Sequence, residues 1–231
     1  GGYCYHVEPE RGRIWIDILN GTCPLLARAG KILGDGRYYD DAVSQIEVYA
    51  RRLQDPQTRL YYQGWGWGAN ANARSVGFWG RGAGWVLMAK VEILELLPLE
   101  HPRRVEMFRW TGEFIDALVG YQGPSGSWHQ LVDRLDSYEE TSGTAMITYG
   151  IARAVRRGWV GAGHLKAVEG GIHALGGKVR DDGAILGTCI GTGTQDRLED
   201  YYVRRTPVDD NHGPGPIILA CCEAIELERE R

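Results

Sequence analysis

Residues 78–98 read FWGRGAGWVLMAKVEILELLP, and the way this stretch changes character halfway decides the fold. From Gly84 to Leu97, Val86, Leu87, Val91 and Leu94 recur at three- and four-residue spacing beside Trp85 and Met88. That is the period of an amphipathic helix, and Pro98 ends it. The first half is rich in Gly and Trp and lacks this helical spacing, so it reads as the end of a connector leading into the helix. The same unit recurs on either side. Upstream, Arg37 to Gln54 carries Ala42, Val43, Ile46, Tyr49, Ala50 and Leu53 on one stripe and stops at Asp55-Pro56. Ile14 to Leu33 reads as helix too, weakened by Gly21 and Pro24. Downstream, Pro102 opens a helix carrying Phe108, Phe114, Ile115, Leu118 and Val119, which Gly123-Pro124 breaks. Thr144 to Val155, Gly163 to Leu175 and Pro216 to Leu227 complete about seven helices, with little convincing strand.

The fold class expected is therefore all-α. Short turns alternate with three long connectors, Asp55–Gly80, Gly120–Ser137 and Arg180–Pro214, which hold most of the Trp, Tyr, His and Gly. Repeated helix pairs fit a solenoid or a closed ring of hairpins. Solenoid repeats keep their turns short and alike, whereas these long loops carry the chemistry-bearing residues, so a toroid with one working face fits better.

Composition narrows the function. The 231 residues include 26 basic and 30 acidic side chains, a net charge of −4. That balance argues against nucleic acid or an anionic membrane as partner. No apolar run approaches the roughly 20 residues that span a bilayer, and GGYCYHVEPERGR has none of the parts of a signal peptide. The five cysteines are scattered and odd in number, which points to reduced thiols and a reducing, cytoplasmic compartment. Eight Trp and twelve Tyr against three Phe suit a wet sugar cleft, although any one Trp is more readily explained as core.

Several residues could carry chemistry. Asp17 sits among Arg13-Ile14-Trp15-Ile16 at a helix start. Apolar surroundings would raise its pKa and make it a general acid; free backbone N–H groups would lower it, and the spacing alone favours the second. In WGRGAGW, three alternating glycines lack the strand a dinucleotide loop requires. Trp79 and Trp85 could instead stack on sugar rings while Arg81 forks onto a carboxylate. Equally, the two Trp could anchor the helix beneath a solvated Arg81, and the two readings stand level. His129 is a further candidate. Glu140, before Thr141-Ser142, reads better as a first-turn carboxylate beside a capping hydroxyl than as catalytic. Asp210-Asn211-His212 offers two possible metal ligands with no matching pair elsewhere, so a loop-locking cluster is preferred. No nucleophile elbow is present.

Taken in order, GGYCYH, IWIDILNGTCPLLA, YYDDAV, LQDPQTRLYYQGW, FWGRGAGWVLMAKVEILELLP, GSWHQLVD, SYEETSGTAMITYGIARAVRRGW, Tyr201-Tyr202 and DNHGPGP make the chain resemble glycoside hydrolase family 105, the unsaturated rhamnogalacturonyl hydrolases, nearly end to end. The resemblance implies an (α/α)6 barrel of six hairpins. It implies an enzyme that removes 4,5-unsaturated uronic acid, commonly galacturonyl on rhamnose, from oligosaccharides left by polysaccharide lyases in pectin degradation. In that reaction a vinyl ether is hydrated, and Asp17 matches the general acid/base. Trp15, Trp79 and Trp85 match stacking positions, Arg81 a polar substrate contact and His6 a histidine of the site. No metal or organic cofactor is implied, and the partner is a small oligosaccharide.

The chain departs from the family pattern at Gln63-Gly64-Trp65-Gly66, where members read His-Gly-Trp-Asp, so Gln63 stands at a substrate-binding position. It departs also at Ala83 for Asn and at Asn20-Gly21 for larger residues. About seven of twelve helices are visible. The expectation is a single domain over 1–231, the C-terminal portion of such a barrel, with some five helices or roughly 120 residues upstream. The alternative functions are a non-catalytic sugar-binding relative and, with less support from the loop aromatics, a helical interaction scaffold.

Overall fold

The structure is a computed structural model that describes residues 12–67 and 73–231; His6 lies outside them. A two-residue strand, β1 (Ile14–Trp15), leads into α1 (Asp17–Leu33) and α2 (Gly36–Leu53). β2 (Gly64–Trp65) pairs antiparallel with β1, Ile14 opposite Trp65 and Trp15 opposite Gly64. Then come α3 (Gly80–Leu96), α4 (Arg104–Gly120), α5 (Thr141–Arg156), a 3₁₀ turn (Ala162–His164), α6 (Leu165–Gly176), the short α7 (Glu199–Tyr202) and α8 (Pro214–Arg229).

These helices form two rows. α1 packs on α3, α3 on α5 and α5 on α8, which makes an inner row; α2, α4 and α6 lie outside, against α1, α3 and α5 respectively. Burial follows the rows. α3 and α5, in the middle, are buried nearly all round, whereas α2 buries one stripe through Tyr39, Val43, Ile46, Tyr49 and Leu53. The inner helices all start at one end of the molecule, where the long connectors gather: Trp79 bridges Leu131, and His129 bridges Glu139.

Local chemistry sets the boundaries. Gly34, at φ 66°, ends α1, and its N–H reaches the Gly30 carbonyl. Asp35 caps α2 by accepting from Arg37 N at 3.0 Å. Pro214 opens α8 at a position whose N–H would go unused anyway. Gly21 and Pro24, expected to weaken the first half of α1, are carried inside it. Leu19, Cys23 and Ala27 bury that face, and tertiary packing outweighs propensity.

Two helices start earlier than their apolar period indicates, and glycine is the reason. α3 begins at Gly80 and α5 at Thr141, where the two backbones touch. A Cβ on Gly80 would lie 2.4 Å from the His129 carbonyl oxygen, and one on Gly84 2.6 Å from Met146 Cβ. A Cβ on Gly143 would lie 2.7 Å from the Gly80 carbonyl carbon. The alternating glycines of WGRGAGW thus serve helix-on-helix approach, a contact between elements 60 residues apart that the local pattern does not register. Among the described residues no helix is long and apolar enough to cross a membrane.

Candidate active site

Asp17 is the first residue of α1, held where β1 turns into the helix. Its approach is fixed by Ile16, fully buried, whose N–H donates to the Gln63 carbonyl at 2.9 Å. Ile16 has helical backbone angles and offers no side-chain cap to the helix start. Oδ1 has no surface and no hydrogen-bond partner among the described residues. Burial pushes the carboxyl up to about 7; the Arg81 charge and the residue's own backbone N–H pull it back only in part. This overturns the weighting that spacing gave. A helix start does lower an acid's pKa, but here desolvation wins, and the group keeps its proton close to neutrality as a general acid must.

Arg81, the second residue of α3, is 1% exposed. Its Nη1 donates to the Cys189 carbonyl at 2.7 Å and to Ser142 Oγ at 3.1 Å, and Nη2 to the Ile190 carbonyl at 2.9 Å. The Glu140 carboxylate stands 3.8 Å away. The expected fork onto a ligand carboxylate is therefore not the arrangement found: both terminal nitrogens are engaged inside the protein. Glu140, fully buried, is itself the cap of α5 and not a first-turn residue. Its carboxylate accepts from Ser142 N and Oγ, Gly143 N and Cys189 N.

These contacts converge on the loop 188–194, TCIGTGT. Arg81 holds the carbonyls of Cys189 and Ile190, Arg204 holds that of Gly191, and Gln63 Nε2 donates to that of Thr192 at 2.6 Å. Four successive carbonyls are thus tied by side chains from three separate segments. Gln63 is fully buried, and its Oε1 accepts from Tyr201 Oη at 2.5 Å. Burial first, and the nearby Asp17 charge among other causes, raises the Tyr201 hydroxyl well above its ordinary value. Asp17, Arg81, Gln63, Tyr201 and the loop accordingly form one connected cluster.

The tryptophans divide. Trp79 is 1% exposed, with the Arg81 guanidinium 4.7 Å over its ring, and it packs with Leu131, Cys189 and Tyr201. One face of its ring is thus covered by the protein's own cation. Trp15 and Trp85 are half-buried. Trp15 meets Trp67 edge-on at 5.9 Å, and Trp85 Nε1 is buried without an acceptor among the described residues. His129 is away from this cluster in its bonding: Nδ1 donates to the Ser137 carbonyl at 2.5 Å and holds the connector before α5. His212 meets the Asp210 carboxylate at 2.6 Å, the loop-locking arrangement. Sequence reasoning missed Thr192, Arg204 and the bonds of Tyr201, since no local spacing ties residue 63 to residues 192 and 201.

Against known proteins, the sequence model described as Glycosyl Hydrolase Family 88 matches residues 1–228. The unsaturated rhamnogalacturonyl hydrolase YesR of Bacillus subtilis is 31% identical over 196 residues, which cover 85% of this chain and 54% of that protein. Protein Atu3128 of Agrobacterium fabrum is 28% identical over 235 residues, 89% of this chain and 99% of that protein. A crystal structure from Salmonella enterica, described as a possible member of the GH105 family, superposes with a TM-score of 0.86 at 29% identity. It covers 95% of this chain and 57% of its own. The chain thus spans about half the length of YesR and of the Salmonella protein.

Proposed function

Because the chain belongs to Glycosyl Hydrolase Family 88 and sorts with the GH105 proteins, its helical hairpins being those of the (α/α)6 architecture, we propose that it removes a 4,5-unsaturated uronic acid from the non-reducing end of lyase-generated oligosaccharides. Galacturonyl on rhamnose is the leading substrate, in line with the activity named for the Bacillus relative.

Asp17 carries the reading. A half-buried carboxyl with a pKa near 7 and an unpartnered oxygen is built to give up a proton and take one back. In the step proposed, its O–H protonates C4 of the C4=C5 vinyl ether, and the ring oxygen shares the positive charge left on C5. Water adds at C5 and returns its proton to Asp17. The resulting hemiketal opens to a C5 ketone, and the hemiacetal now at C1 releases the aglycone as an alcohol. One water is consumed and the carboxyl is regenerated. A single carboxylate serves both steps, so the separation rule for paired glycosidase carboxylates does not apply. Arg81 acts from behind by fixing the 189–190 backbone and keeping the pKa of Asp17 from rising further. Trp15, Trp85 and, outside the described residues, His6 are the side chains assigned to substrate contact.

The test is loss of the conjugated double bond, followed by ultraviolet absorbance, with an unsaturated galacturonyl-rhamnose disaccharide. Asp17→Asn should cut turnover by about 10²–10⁴-fold, the range for a lost general acid, while sugar binding persists. Near-normal turnover in that variant would remove Asp17 from the mechanism. A second reading, a sugar-binding relative without turnover, is favoured by Gln63. Its carboxamide is consumed by Tyr201 and Thr192, leaving no imidazole at that position. Binding with no absorbance change in the unmodified chain would select it.

A further inference from the structure

The net-acidic chain pairs many of its arginines with carboxylates, and three of the exceptions, Arg13, Arg52 and Arg74, lie around β1 and β2. Along the same stretch, Arg51 pairs with Glu47 and Arg59 with Glu113. Between them in space, Arg52 lies with its guanidinium 5.0 Å over the Trp65 ring, and Arg74 with its own 5.3 Å over Tyr62. The two are joined: Arg74 Nε donates to the Arg52 carbonyl at 2.7 Å, and Arg74 bridges Trp65 across the ribbon. Neither has a carboxylate within ion-pair distance among the described residues. The acid whose charge is felt from Arg74, Asp55, has Oδ1 committed to Gln57 N, Thr58 N and Thr58 Oγ1. On the adjoining strand, Arg13 repeats the arrangement. Its Nε donates to the Gly66 carbonyl at 3.1 Å, and its guanidinium lies 5.3 Å over Trp67, the ring that meets Trp15 two residues before Asp17.

An arginine stacked on an aromatic ring with Nε tied to a carbonyl has little freedom left to lose, and its two terminal NH₂ groups remain turned to whatever acceptor arrives. Arg74 and Arg13 are held in this way, Arg52 is held by its stacking on Trp65 alone, and the three around one ribbon make an anion site that the protein's own carboxylates leave open. Arg81 is engaged internally and does not compete for that role. We propose that Arg52 and Arg74, with Arg13 beside them, form a subsite for an anionic sugar residue further along the oligosaccharide than the one removed. The inference rests on the hydrolase reading above and gives that reading a substrate class: acidic chains in which a second residue also bears a carboxylate or sulfate ester.

The full chain and its Arg52→Gln/Arg74→Gln double variant are titrated by calorimetry. The probes are a tetrasaccharide of alternating uronate and rhamnose, its methyl ester, and a tetrasaccharide without carboxylates whose one charge is a sulfate ester. Each probe is saturated at its terminal residue so that nothing turns over. The double variant should bind the acidic tetrasaccharide about tenfold more weakly, as two surface ion pairs would provide, with the ester unchanged. The fall in affinity with salt should also be shallower. Arg52→Lys/Arg74→Lys should recover part of the loss through charge alone. A loss confined to the uronate assigns the subsite to carboxylates, and a loss shared by the sulfated probe assigns it to anions generally. Equal losses for acid and ester, no loss, or no binding by the unmodified chain overturns the proposal. Turnover of the disaccharide, with its neutral rhamnose aglycone, is read separately: if it is absent while the double variant still loses affinity for the acidic probe and not for the ester, the hydrolase reading falls and the subsite stands.

Discussion

Asp17 should be a stability liability whose size depends on pH, and Asp17→Asn should expose it. The unfolded chain carries an ordinary Asp near 3.8, while burial holds the folded one at about 7. Between those values the folded state binds a proton that the unfolded state has lost. The unfolding free energy therefore falls as pH rises through this window, the opposite of a salt-bridged carboxylate. From pH 5 to pH 8 about two pK units of the window are crossed, worth about 2.7 kcal/mol at 1.36 kcal/mol per unit. Asn does not titrate. Urea unfolding of both proteins at pH 5 and pH 8 gives the quantity needed, because the difference of differences cancels any pH-independent cost of the amide. The variant should gain about 2–3 kcal/mol on the unmodified chain between the two pH values. A gain under about 0.5 kcal/mol, or a loss, would mean that Asp17 is ionised in the folded protein across this range, and the general-acid argument would fail with it. The same titration predicts that kcat/KM declines as pH rises through about 7, where the acid form disappears.

Two further substitutions test the scaffold of the site. Arg81→Met should cost about 3–5 kcal/mol, because it leaves Glu140 as an unpaired buried charge and strands two buried carbonyls. It should also weaken neutral and acidic sugars alike, and a loss confined to acidic sugars in calorimetry would return Arg81 to direct carboxylate contact. Gly143→Ala should destabilise by at least about 1–3 kcal/mol in urea, since its methyl would sit 2.7 Å from the Gly80 carbonyl carbon and 2.9 Å from Arg81 N, where backbone must move. Unchanged stability would show that α3 and α5 are free to separate.

Much of the fold can be read along the chain. The periods of α2, α4, α5, α6 and α8 are local facts, as are the breaks at Asp55-Pro56, Pro98 and Gly123-Pro124. The strings around Asp17 and residues 78–85 are specific enough for family membership, and they point to the region of the candidate site. Roles within that region are another matter. Arg81 and Trp79 look like ligand contacts in the sequence because Arg and Trp in a Gly-rich loop suit sugar binding. In the structure one guanidinium covers one ring and ties two carbonyls more than 100 residues away. Gln63 reads as a lost imidazole, yet its carboxamide joins Tyr201 to Thr192, a bridge that no spacing foretells.

What the sequence determined by itself is whatever depends on neighbours within a turn or two, namely helix positions, their breaks and the aromatic loops, while the resemblance to the family singled out Asp17 as the candidate acid. Tertiary structure alone decided the proton on that acid. A carboxylate at a helix start is stabilised by the few N–H groups beside it, which the sequence displays. Its desolvation comes from the surrounding fold, with the buried cluster of Arg81, Gln63 and Tyr201 brought together from distant segments, and desolvation is the larger effect.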